Sequence, residues 1–268
     1  VYRTTVYLTG RIASSGLSAC PLEIARAALP DGVPWRVVAE ELEVGPLPDA
    51  ERAARGMADD QNVVVGHAVR GPAMMPPETR IVRAIRRRLE SLEPFGPDGK
   101  VLIGLLPGPR MAFCNVALQH PEEMRCEDQF RRVLPALEEL ASELGLVGWS
   151  PEVLRLNGAV GFSRAGTFSD NGLSGKKLVV DHYGPGVPIG GGALCGKDPH
   201  KVDRAGAGAA RQLAVRLVQS GARSATTRLA WAPGQEEPWL VEAMVDGGDG
   251  GRWPEATCGC GLSVRGST

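Results

Sequence analysis

Apolar and polar positions alternate from the start of the chain. Val1, Thr4, Val6 and Leu8 fall in or beside a stretch rich in Thr, Val and Tyr, and residues 2–12 predict a strand. Because the chain opens inside that alternation, further residues upstream of Val1 are expected. Helical spacing follows over 21–29 and stops at Pro30. Residues 45–60 (GPLPDAERAARGMADD) are polar and rich in Pro and Gly, which predicts a loop between domains or a lid, and residues 62–66 read as a strand. Over 79–92, Ile81, Val82, Ile85, Leu89 and Leu92 share one helical face. Arg80, Arg83, Arg86, Arg87 and Arg88 take most of the remainder, read as a solvated face. Two strands are expected at 100–106 and 111–119 around Pro107-Gly108-Pro109, then an amphipathic helix over 127–144. Asp203 is expected to cap a helix over 204–219 that Gly221 ends, with strands near 226–231 and 239–245. After Asp246 the pattern predicts an irregular, poorly ordered tail.

Strand and helix recur in similar order three times. The expected fold class is therefore α+β, with repeated β-α-β layers that pack helices on one face of mixed sheets. Three domains are expected, at residues 1–56, 57–156 and 157–268. A chain of 268 residues with 43% hydrophobic side chains can bury one large core or two smaller ones. Thirty basic and 31 acidic side chains leave a net charge of -1, so no global field draws the chain to nucleic acid or an anionic membrane. No run approaches the roughly 18 apolar residues of a membrane helix and no signal-peptide pattern opens the chain, which sets a cytoplasmic expectation. Six cysteines without a CxxC spacing, Cys258 and Cys260 included, predict reduced thiols rather than disulfides or a zinc site. His67, His120, His182 and His200 read as structural, the second and fourth in surface turns. Gly and Pro together exceed a fifth of the chain, which points to many turns and to sites built from backbone.

The densest polar cluster runs from Asn157 to Arg204. It brings Lys176, Lys177, Lys197, Lys201 and Arg204 beside Asp170, Asp181, Asp198 and Asp203 within glycine-rich chain. Glycines let backbone N–H groups approach an anion, lysines neutralise a polyphosphate, and aspartates hold its Mg²⁺. No Walker A pattern and no dinucleotide GxGxxG occurs. On spacing alone, two readings stand: a site for nucleotide phosphates, or a glycine-rich surface loop with solvated lysines.

The same stretch resembles a known family, the S-adenosylmethionine synthases, or methionine adenosyltransferases. Residues 170–177 (DNGLSGKK) followed by Val179-Val180-Asp181 are similar to the family's D-x-G-L-T-G-R-K-I-x-V-D segment. Residues 190–199 (GGGALCGKDP) with Lys201-Val202-Asp203-Arg204 resemble its G-G-G-A-F-S-G-K-D-P-x-K-V-D-R signature. Asn157 and Phe162 fall at the family's spacing before Asp170. Pro97-Asp98-Gly99-Lys100 resembles R-P-D-x-K, and Asp60-Gln61 with Gly66 resembles G-D-Q-G-x-x-F-G-Y. Lys176 stands where the family has arginine, Asn62 where D-Q-G has its glycine, and no G-H-P-D-K segment occurs in these residues.

The resemblance implies a set of roles. Lys177, Lys197 and Lys201 would hold the triphosphate of ATP, with Lys176 beside them, and Lys100 would reach phosphate across a subunit or domain face. Asp203 would be a Mg²⁺ ligand and Phe162 would stack on adenine. Asp98 and Asp170 would contact the nucleoside or its neighbours, and Asp60 would bind the amino group of methionine. The reaction implied is attack of methionine sulfur on C5′ of ATP, then hydrolysis of tripolyphosphate, with Mg²⁺ and K⁺ and in at least a homodimer. In that reaction the acceptor is methionine or a related thioether, and two alternatives stay open: a diverged paralogue that hydrolyses nucleotide or tripolyphosphate, and a non-catalytic subunit of a heteromeric synthase.

Overall fold

The structure is a computed structural model. It describes residues 4–13, 20–29, 33–45, 56–108, 110–158, 161–166, 169–173, 175–197, 199–248 and 263–267. The chain divides into two compact units, one chiefly Pro77–Gly172 and the other chiefly Val37–Pro76 with Leu173–Thr268.

In the first unit, β4 (Gly99–Leu106) and β5 (Arg110–Leu118) pair antiparallel, and the short β6 (Leu154–Leu156) adds to β5 in parallel. Helices α2 (Pro77–Glu90) and α3 (Cys126–Glu143) pack together, α2 also lying on β4. The three- and four-residue spacing of Ile81, Ile85 and Leu89 puts all three on the buried side of α2. They meet Val133, Leu137 and Leu140 of α3 and Met111, Val116 and Leu118 of β5. The arginine run of α2 is not uniformly solvated. Arg88 donates to Glu139 at 2.8 Å and to Glu143 at 2.7 Å on α3, and Arg86 pairs with Glu90 at 3.3 Å.

Cys114 lies within this core, where burial pushes its thiol up to about 12. The folded state holds a proton that the unfolded thiol releases above its ordinary value of 9.0, so this contribution to stability declines as pH rises through that window. Alkylation of the native protein at about pH 8 should label the exposed Cys20, Cys126 and Cys195 and spare Cys114 until denaturant is added, as read by peptide mass mapping.

The second unit contains a four-stranded sheet of order β3-β7-β8-β9: β3 (Asn62–Val69), β7 (Ala222–Trp231), β8 (Leu240–Gly248) and β9 (Ser263–Ser267). The first three are antiparallel, and β9 joins β8 in parallel. The long helix α5 (Val202–Gln219) covers this sheet, against β3 and β7. Its run Ala205 to Ala210 alternates Ala and Gly, so the helix sits close to the strands. A Cβ at Gly206 would stand 2.9 Å from the Trp231 ring. The buried Thr227 hydroxyl donates to the Ala210 carbonyl at 2.7 Å, which satisfies the one polar side chain at that level.

Four further helices and strands belong to the described chain: α1 (Pro21–Ala27), β2 (Arg36–Gly45), which pairs with β1 (Thr5–Ala13), and the single turn α4 (Leu178–Asp181). One expectation changes here. Ser263–Ser267 is a strand rather than irregular tail, because it completes hydrogen bonds along β8; residues 249–262 lie outside the described residues. Much of the expected 45–60 loop, residues 46–55, also lies outside them.

Candidate functional site

The polar segment singled out by its composition is drawn together around the start of α5. The glycine block runs against β3: the Gly191 N–H donates to the Val63 carbonyl at 2.9 Å. A Cβ at Gly190 would lie 2.9 Å from the Val64 Cα, and one at Gly192 would collide with the Asp203 carboxylate. Close approach, not unusual torsion angles, is what demands glycine here. At Gly175, φ is +71°, and a Cβ there would stand 2.7 Å from that of Ala193. The loop bearing Lys176 and Lys177 therefore abuts the glycine block, with both lysines exposed and Lys177 heading α4.

Lys201, not Asp203, is the N-cap residue of α5, and no side chain caps that end. Asp203 instead sits in the first turn, where a negative charge is favoured by the helix dipole, and turns its carboxylate outward to two partners. Lys197 Nζ donates to Oδ2 at 2.5 Å and the Asn62 amide donates to Oδ1. Lys201 Nζ donates to Asp59 Oδ2. The side chains of Asp203 and Asp59 are 18% and 15% exposed, which makes these charge-assisted contacts stronger than a surface pair. Burial alone would raise the Asp59 pKa. The Lys201 hydrogen bond and charge outweigh it, aided by the backbone of Asp59 and Val202, and hold the carboxyl below its usual 3.8. Asp60 is exposed, and its Oδ1 accepts from the Gln61 N–H at 2.7 Å.

The remaining expected residues belong to the first unit. Asp98 Oδ2 accepts from the Gly166 N–H at 2.7 Å, so this carboxylate shapes the loop after Phe162. Lys100 is exposed on β4, and Asp170 is exposed with Oδ1 accepting from the Asn171 N–H at 2.8 Å. Phe162 is half-buried and its backbone is clasped by His120. The His120 N–H donates to the Phe162 carbonyl at 3.1 Å, and His120 Nε2 accepts from the Phe162 N–H at 3.1 Å. Nε2 as acceptor leaves the proton on Nδ1, which faces the Pro121 carbonyl at 2.8 Å. His120 is thus buried rather than in a surface turn. Beside it opens a cavity of about 330 Å³ lined by Gly96, Gln119, His120, Ser163 and Arg164 among others, at the small end of ligand clefts. Asn157, at φ +50°, fastens the start of this segment. Its amide accepts from the Leu118 N–H at 2.7 Å, and donates to the Leu118 carbonyl at 3.0 Å and to Gln129 at 2.7 Å.

Six of the ten expected site residues (Asp60, Lys176, Lys177, Lys197, Lys201, Asp203) therefore lie in one unit, and four (Asp98, Lys100, Phe162, Asp170) in the other. Asp59, Asn62 and His120 were not singled out as site residues. Asp59 gave no sequence signal beyond preceding Asp60-Gln61, and Asn62 only its departure from the glycine of D-Q-G; His120 gave only its type. No group of three or more His, Cys, Asp or Glu side chains among the described residues is arranged to cage a metal. Asp203 nonetheless fits a Mg²⁺ carried in with phosphate, since that ion takes one or two carboxylates and completes its shell with phosphate and water.

This combination of sheets, covering helices and lysine-bearing glycine block defines a fold class. The chain matches an unusual S-adenosylmethionine synthetase from Campylobacter jejuni with a TM-score of 0.76, over 91% of this chain and 70% of that one, at 23% identity. The model of the S-adenosylmethionine synthetase C-terminal domain matches residues 165–253, which contain the glycine block and all of α5. S-adenosylmethionine synthases of Cereibacter sphaeroides and Paracoccus denitrificans are each 36% identical, over 71% and 72% of this chain and 52% and 53% of theirs. That of Thermus thermophilus is 34% identical over 68% of this chain and 49% of its own. The chain belongs to the S-adenosylmethionine synthase family, and it spans about half the length of these curated relatives.

Proposed function

We propose that this chain binds Mg-ATP and transfers its adenosyl group to methionine, hydrolysing the tripolyphosphate that leaves. One observation carries the reading: Lys197, Lys201 and Asp203 converge at the start of α5 against a glycine block that no larger residue fits. Lys197 and Lys201, with Lys177 and Lys176 from the adjoining loop, neutralise the phosphates. That charge is greatest as tripolyphosphate departs, so fixed ammonium groups lower the barrier to its loss. Asp203 would hold Mg²⁺, which supplies further charge neutralisation when bound. In the other unit, Phe162, held by His120, is assigned to adenine, Asp98 and Asp170 to the nucleoside and Lys100 to phosphate. Asp60 is assigned to the amino group of methionine.

We also infer a homodimer or higher homo-oligomer, supported by Leu102, Leu106 and Phe113, which stand 60%, 42% and 43% exposed on the sheet of the first unit. No helix among the described residues is long and apolar enough to cross a membrane. Dependence on ATP places the chain in the cytoplasm in this reading.

The test is incubation of the purified chain with ATP, methionine, Mg²⁺ and K⁺, followed by separation of nucleosides and phosphates. S-adenosylmethionine with phosphate and diphosphate is expected. Phosphate release without a sulfonium product would favour the hydrolase reading. No turnover of either kind would leave a binding subunit.

A further inference from the structure

Two side chains in the candidate site stand where the family segment has none. Placing Asp60-Gln61 on D-Q within G-D-Q-G puts Asp59 on the first glycine and Asn62 on the second. Both reach the phosphate segment: Asp59 pairs with Lys201, and the Asn62 amide donates to Asp203. Neither position has a positive φ, so side chains are accommodated there without backbone strain. Asp59 Oδ1 is buried with no hydrogen-bond partner among the described residues, so the Lys201 ion pair made by Oδ2, helped by the backbone of Asp59 and Val202, compensates this carboxylate for leaving water.

We propose that Asp59 is an internal competitor for Lys201, a carboxylate in the place of a phosphate oxygen, so that a polyphosphate binds only by displacing it. This rests on the assignment of Lys201 to phosphate under Proposed function. A carboxylate and a phosphate oxygen make the same kind of contact to an ammonium group, and one lysine cannot give full strength to both. Asp59 therefore sets a weaker affinity for polyphosphate than the lysines alone would give, and makes it a property of a position outside the glycine block.

The experiment is calorimetric titration of the full chain with inorganic tripolyphosphate at fixed Mg²⁺. Wild type is compared with Asp59→Asn, Asp59→Gly, Lys201→Met and the double variant Asp59→Asn/Lys201→Met. Asp59→Asn keeps the size of the side chain and serves if the glycine variant does not fold. Either single Asp59 change is expected to tighten binding by about tenfold or more, and the gain is expected to vanish in the Lys201→Met background. Unchanged affinity in both Asp59 variants, with Lys201→Met still weakening binding, overturns the competitor and leaves the phosphate site standing. A gain that survives Lys201→Met also overturns it, since it would come from removing a negative charge in general. No binding by any variant overturns the phosphate assignment and this inference together.

Discussion

Lys197→Ala is expected to weaken binding of Mg-ATP by about a hundredfold while leaving the fold intact. Charge-assisted hydrogen bonds to phosphate contribute roughly 1.5–3 kcal/mol each, and every 1.4 kcal/mol is about tenfold in affinity. Lys197 also neutralises Asp203, to which it is bonded at 2.5 Å, so its loss brings an uncompensated carboxylate close to the ligand's phosphates. Asp203→Ala should produce a loss of similar size by another route, removing the oxygen ligand offered to Mg²⁺. Its signature is that added Mg²⁺ no longer improves ATP affinity. With 34% of the Lys197 side chain exposed, its ammonium group can turn to water in that variant, so the melting temperature should change little. Titration calorimetry with circular dichroism reads both quantities, and unchanged ATP affinity in both variants would sink the assignment.

Gly66→Ala is expected to be the most destabilising small substitution in the second unit. Gly66 pairs with Thr227 across β3 and β7, at the level where both strands meet the backbone of Ala210 in α5. The added methyl group would overlap the Ala210 carbonyl and the Arg211 nitrogen. Backbone cannot rotate away as a side chain can, so either α5 lifts from the sheet or β3 slips. Ala210, Ala214 and Leu217 are almost wholly buried, so lifting the helix opens voids along its length. Overpacking of this kind costs about 3 kcal/mol, which for a unit of this size lowers the melting temperature by roughly 6–12 °C. Because α5 carries Lys201 and Asp203 at its start, ATP binding should weaken as well. A variant melting within a degree or two of wild type would show that the helix approaches the sheet less closely than described.

Elements whose burial repeats at a single period were legible in the sequence. The helix expected over 79–92 is α2, Pro77–Glu90, because Ile81, Ile85 and Leu89 need no information beyond their own spacing. The strand pair around Pro107-Gly108-Pro109 followed for the same reason, as did the long helices α3 and α5. β2 drew no prediction: Glu40, Glu41 and Glu43 interrupt its alternation, and none of its residues is fully buried. β9 was missed because it is defined by hydrogen bonds to β8, not by its own composition. The chemistry was legible where glycine and lysine are dense, since packing of that kind leaves a local trace. His120 left no such trace: what distinguishes it is a pair of hydrogen bonds with Phe162, 42 residues away.

The sequence by itself determined the α+β class, the main helices and strands, the family, and the chemical type of the residues from 157 to 204. Periodicity and motif spacing are local properties, and each of these conclusions uses only neighbours along the chain. Tertiary structure alone decided which residues meet. It brought β3 from the first third of the chain against α5 and β7 from the last. It also placed Asp59 on Lys201 and Asn62 on Asp203, across 142 and 141 positions. Pairings at that separation depend on the closure of the whole sheet, and a carboxylate becomes the partner of a given lysine only once that closure has excluded the water it would otherwise face.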